Sequence, residues 1–152
     1  MSGALAILTA AALVPPPAAD GPPYDPDRCD GRPVLMVVDG RIQDAQRLRT
    51  YAEALRASGL YPELKAYYLN APRPIAVFEG TPPPERSILI VRFPCLAHAR
   101  AFWFSKTYQE RIRPLRLNPS AGDFLVTVHP ELPVPAYAHP PETRTSTGTA
   151  DP

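Results

Sequence analysis

PVLMVVDG at residues 33–40 and ILIVRF at residues 88–93 are the two segments whose reading decides the fold. Each is a short apolar run rich in β-branched side chains, opened or closed by proline or by an Asp-Gly pair, the pattern of a strand inside a sheet. The first is apolar from Val34 to Val38, and the second is interrupted only by Arg92. A strand that is apolar on both sides needs cover on both faces, which one layer of helices cannot supply. A second copy of the chain is the simplest source of that cover.

Working outward, Asp44 is placed to cap a helix in which Leu48, Tyr51, Ala52 and Leu55 share one face, and Gly59 ends it. Leu64–Leu69 and Ile75–Glu79 are predicted to be extended. They are separated by Asn-Ala-Pro-Arg-Pro, which forbids a helix through the join. Pro94 suits the first turn of a helix carrying Leu96, Ala99 and Trp103 on one face. Ser105 caps a second helix with Tyr108, Ile112 and Leu115 turned inward, and Phe124–Val128 is the last strand. The order strand, helix, two extended segments, strand, helices, strand predicts an α+β, split βαβ domain with helices on one face of an antiparallel-rich sheet.

Twenty-two prolines in 152 residues, far above the usual share of about 5%, crowd toward both ends of the chain. They mark residues 1–32 as a disordered leader and 130–152 as a disordered tail around one domain at 33–129. Ala4–Val14 is apolar but too short to span a bilayer, and the first basic residue is Arg28, so a cytoplasmic location is expected ahead of secretion. A net charge of +1, from 16 basic and 15 acidic side chains, supplies no field to recruit nucleic acid or an anionic membrane. Cys29 and Cys95 lie far apart, so a disulfide is open but unsupported. His98, His129 and His139 are scattered without ligand spacing, and neither a metal nor an organic cofactor is expected.

Three stretches are more specific: FEG at 78–80 with the proline turn after it, RFPCLAHARAFWFSKTYQERIRPLR at 92–116, and GDFLVTV at 122–128. On these the chain resembles domain-of-unknown-function family 1330, a group of small proteins related to the dimeric α/β-barrel superfamily, over about residues 33–128. The family pattern has an Arg-Gly-Gly turn where this chain has Asn70-Ala71-Pro72-Arg73-Pro74. The resemblance implies a ferredoxin-like dimeric α/β barrel, and related barrels include cofactor-free monooxygenases, lactone isomerases and polyketide-modifying enzymes. Likeness of fold is weak evidence of function.

Candidate site residues follow from chemistry. With the first and third main strands taken as adjacent and parallel, Asp39 and Arg92 meet at one end of the sheet, either as a polar floor for a substrate carboxylate or enolate or as an ion pair at the sheet edge. Glu79, ending a hydrophobic segment, is the best general base, with a turn-stabilising carboxylate as the plainer role. Trp103 and Tyr108 can wall a flat ligand, with the Tyr108 hydroxyl donating, or can simply be core. Tyr67 and Tyr68 point to opposite faces, so one faces any cavity, and Tyr67 is taken as the binding residue. His98 is expected to face solvent or a partner. The leading expectation is a homodimeric, cofactor-independent enzyme of secondary or catabolic metabolism. It works by acid/base chemistry, as an isomerase, cyclase or monooxygenase-like catalyst, on a small carbonyl-containing metabolite. Glu79, Arg92 and Tyr108 are its catalytic residues, and Trp103, Tyr67 and Asp39 its binding residues. The alternative is a non-catalytic homodimer that binds a small ligand or a protein.

Overall fold

A computed structural model of the chain describes residues 25–138. The expectations for the rest of the leader and for most of the proline-rich tail lie outside the described residues. Strand β1 (Val34–Ile42) is followed by helix α1 (Ala45–Ala57), a single turn α2 (Leu60–Glu63), a two-residue strand β2 (Tyr67–Tyr68) and strand β3 (Arg86–Phe93). Helix α3 (Leu96–Trp103), a π-helical turn (Thr107–Ile112), a 3-10 turn (Arg113–Arg116) and strand β4 (Gly122–Pro130) complete the domain.

Local chemistry explains the boundaries. The Asp44 carboxylate accepts from the N–H groups of Gln46 and Arg47 at 2.9 and 3.0 Å, capping α1. Gly59 follows in the left-handed region at φ +71°, which lets the chain turn out of the helix without a Cβ clash. Ser105 Oγ accepts from the Tyr108 N–H at 3.1 Å, so the expected cap is made, but the turn it starts is π-helical.

The sheet order is β2-β3-β1-β4 with every neighbouring pair antiparallel. Met36 lies between Val91 and Val128, and Val34 between Phe93 and Pro130. Alternation sends Val34, Met36, Val91 and Phe93 toward the helices. There they join Leu55, Leu60, Leu64, Ala99, Phe102, Tyr108 and Ile112 in one buried core. The α+β ferredoxin-like architecture with helices on one face is therefore the fold of this chain.

Two expectations are corrected. β1 and β3 are antiparallel, with Val34 opposite Phe93 and Asp39 opposite Ile88. The reason is topological: β3 is inserted between β1 and β2 and runs against both. Ile75–Glu79 forms no strand. Asn70 ends the ladder by using its side chain, since its Oδ1 accepts from the Ile90 N–H and its Nδ2 donates to the Ile88 carbonyl, each at 2.8 Å. Pro72, with no N–H to give, offers only a carbonyl to the Ile88 N–H. The chain then leaves the sheet, and residues 70–85 form an exposed arm.

The opposite sheet face carries Leu35, Val37, Ile88, Ile90 and Leu125, by the same alternation. No helix covers it among the described residues. Charged pairs border it: Asp39 with Arg86 at 2.8 Å, Arg41 with Asp123 at 3.5 Å and Arg92 with Glu131 at 2.7 Å.

The segment before the domain is also tied down. Asp25 caps a 3-10 turn at Pro26–Arg28, and Cys29 is disulfide-bonded to Cys95 at the head of α3. The described residues ahead of Pro33 thus include a 3-10 turn joined covalently to the head of α3.

Candidate functional site

The site is best built from α1. The same face that buries Leu55 also carries Tyr51, whose hydroxyl lies 3.1 Å from that of Tyr108 on the π-helical turn. Arg116, at the end of the 3-10 turn, donates from Nη2 to the Tyr108 hydroxyl at 3.4 Å. Its guanidinium is sandwiched between the rings of Tyr51 and Phe124, 5.3 Å from each centroid.

Arg116 is only 6% exposed, and among the described residues no carboxylate pairs with it. Its Nε has no hydrogen-bond partner. A buried cation held by two aromatic faces and one hydroxyl is an unusual arrangement, because charges taken from water are normally paired. It leaves the Nε donor of Arg116 unpaired inside the helix layer.

A cleft of about 380 Å³ opens between α1, α2 and β2, lined by Arg49, Ala52, Glu53, Arg56, Tyr61 and Tyr68. The Tyr61 ring meets Tyr68 edge-on at 5.3 Å and Phe102 at 5.1 Å. Burial, reinforced by the closeness of neighbouring phenols, pushes Tyr51 and Tyr61 far above the ordinary phenol range, and burial chiefly raises Tyr68. These hydroxyls therefore stay protonated at physiological pH and act as hydrogen-bond donors, not as bases.

The six residues singled out from sequence are dispersed by the fold. Tyr108 is buried at 1% exposure in the helix layer. Trp103 touches it, with ring centroids 5.3 Å apart, and lines a separate apolar groove of about 290 Å³ with Met36, Ala99, Val126 and Val128. Arg92 lies on the uncovered sheet face, donating to Glu131 at 2.7 Å and stacking over Tyr67 at 5.8 Å. Asp39 is five residues along β1 from the residue facing Phe93, and it chelates Arg86 through two hydrogen bonds of 2.8 and 3.1 Å. That bidentate bond holds its carboxyl below the usual range. Asp39 and Arg92 do not meet, because antiparallel pairing carries the carboxyl ends of β1 and β3 to opposite ends of the sheet. Glu79 stands exposed on the arm. Within one chain, then, Glu79, Arg92 and Tyr108 do not converge.

Tyr67 and Tyr68 do point to opposite faces, but Tyr68 is the one that lines the cleft. The residues that sequence reasoning missed are Arg116, Tyr61 and the hydroxyl role of Tyr51. One signal was available: Tyr108, Ile112 and Arg116 recur at a spacing of four, so the inward stripe ends on an arginine. Nothing in the spacing marks Tyr61, which reaches the core because the αL turn at Gly59 redirects the chain.

With this geometry in view, residues 33–128 match the model of the family described as Domain of unknown function (DUF1330), and the chain belongs to that family. No curated protein matches the chain.

Proposed function

We propose that this DUF1330 member is a homodimeric protein that binds a small metabolite bearing a carbonyl, enolate or carboxylate oxygen in the tyrosine-lined cleft. The observation that carries the reading is one cleft lined by Tyr61 and Tyr68, whose hydroxyls stay protonated, together with the cationic side chains of Arg49 and Arg56. Donors that are already oriented and desolvated favour an oxygen that carries negative charge. Apolar walls from Leu55, Ala52 and the tyrosine rings suit a flat, partly aromatic body.

Homodimerisation is proposed from the second sheet face. Leu125 is 65% exposed there, and Phe78 and Ile75 on the arm are fully exposed. Packing two such faces against each other would bury the central rows of both sheets, with the arm of each copy free to lie along the other. Sedimentation of Leu125→Glu and Phe78→Glu variants tests this part: dissociation to monomers is expected, and unchanged mass in both removes it.

Turnover by acid/base chemistry is the second reading, favoured by one observation: Glu53 is among the residues that line the same cleft as Tyr61 and Tyr68. The phenols would stabilise an enolate while a carboxylate takes the proton. This replaces the scheme built on Glu79.

The test is ligand-induced thermal stabilisation by a panel of β-keto acids and flat phenolic ketones, in wild type and in the Tyr61→Phe/Tyr68→Phe double variant. Stabilisation by at least one class, lost in the double variant, is expected. An equal response in both proteins would remove the cleft from consideration. Loss of solvent exchange at the ligand's α-carbon in Glu53→Gln, with binding retained, separates catalysis from binding.

A further inference from the structure

Cys29 and Cys95 stand 66 positions apart, and the fold brings their Cα atoms to 5.6 Å as a disulfide. A third donor stands beside them. The Nδ1 of His98 is 3.3 Å from Cys95 Sγ, and the donor atoms of all three residues lie within 4.8 Å of one another. Cys95 and His98 occur as Cys-Leu-Ala-His at the head of α3, a spacing of three that puts both side chains on one side of its first turn. Two sulfurs and an imidazole are the donor set preferred by zinc.

We propose that Cys29, Cys95 and His98 form a redox-gated zinc(II) site, closed while the two sulfurs are bonded to each other and opened by a dithiol reductant. Cys95 is fully buried and Cys29 is partly exposed, so the reductant's thiolate attacks the sulfur of Cys29 and Cys95 leaves as thiolate. The reductant's second thiolate then attacks its own sulfur in the mixed disulfide and expels Cys29. Two electrons have passed to the protein, two protein thiols remain, and the reductant carries the new disulfide. Zinc(II) binds the two sulfurs with release of both thiol protons, and takes the imidazole as its third ligand.

Tetrahedral zinc spaces such donors at roughly 3.5–3.8 Å, so the sulfurs part and the imidazole adjusts by only about 1–2 Å. Cys29 and His98 are both half-buried, which leaves the fourth position open to solvent. The arrangement keeps the 3-10 turn at Pro26–Arg28 pinned to α3 in either state, by a covalent bond under oxidising conditions and by a metal under reducing ones.

The test uses the whole 152-residue chain, reduced with a phosphine, desalted without oxygen and titrated with cobalt(II) as the spectroscopic probe. Reduced protein is expected to take up one cobalt per chain, with a thiolate charge-transfer band and intense tetrahedral d–d bands that zinc(II) bleaches. Oxidised protein should show neither. His98→Gln keeps both cysteines and the disulfide, and should weaken cobalt binding at least tenfold. The proposal is overturned if reduced protein shows no thiolate band, if oxidised protein binds as well as reduced, or if His98→Gln binds as tightly as wild type.

Discussion

The hydroxyls of Tyr51 on α1 and Tyr108 on the π-helical turn meet at 3.1 Å inside the helix layer, and Arg116 donates to the second of them. Tyr108 and Arg116 are buried and Tyr51 is partly so, so these polar groups rely on one another. Tyr108→Phe removes the central oxygen and leaves both the Tyr51 hydroxyl and an Arg116 N–H short of a partner. A loss of about 1–2 kcal/mol is expected, read as a lower urea midpoint with unchanged slope. Tyr51→Phe should cost less, since the Arg116–Tyr108 bond survives it.

The raised phenols predict alkaline sensitivity. Unfolded tyrosine ionises near 10.0, whereas folded Tyr51 and Tyr61 hold their protons well above that. Their contribution is fully present below pH 10 and is lost as pH rises beyond it, because the unfolded chain then releases protons that the folded one keeps. Each phenol steepens the fall by up to about 1.4 kcal/mol per pH unit. Urea midpoints measured from pH 7 to 11 should therefore drop above pH 10, and the drop should be shallower in Tyr61→Phe.

The antiparallel register makes a separable prediction for the charged rim. Arg92 and Glu131, each about a quarter exposed, are in contact at 2.7 Å, whereas Asp39 belongs to Arg86. A double-mutant cycle on Arg92 and Glu131 should give a coupling of about 0.5–1 kcal/mol. The same cycle on Arg92 and Asp39 should give none. Coupling in the second cycle would contradict the register.

Gly40 supports the Arg116 network from a distance. It lies opposite Phe124 across β1 and β4, and a Cβ there would come within 2.3 Å of the Asp123 carbonyl and 2.5 Å of the Phe124 ring. That ring forms one side of the Arg116 sandwich. Gly40→Ala should cost about 2 kcal/mol by overpacking. Calorimetric unfolding of the variant beside wild type reads that loss.

Much of this protein was legible in its sequence. The two apolar runs at Val34–Val38 and Ile88–Phe93, the Asp44 cap and the Gly59 stop depend on neighbours a few residues away, so local pattern was enough to place the strands, the first helix and the family. The relation of β1 to β3 was another matter. Their direction depends on which strand is inserted between which, and this is a property of the closed sheet, not of either segment. The Ile75–Glu79 segment reads as extended, yet it never joins the sheet, because the Asn70 side chain takes the ladder bonds first.

The candidate site was the least legible part. In sequence Tyr51 is one more apolar position on a helical stripe, and only packing against Tyr108 and Arg116 makes its hydroxyl part of a network. Cys29, Cys95 and His98 were likewise scattered letters until α3 and the 3-10 turn at Pro26–Arg28 were brought together. Sequence by itself determined the main strands, α1 and α3, since propensity and periodicity act over one or two turns of chain. Tertiary structure alone decided which polar groups lost water together, because desolvation and donor geometry depend on residues that are distant along the chain and adjacent only in the fold.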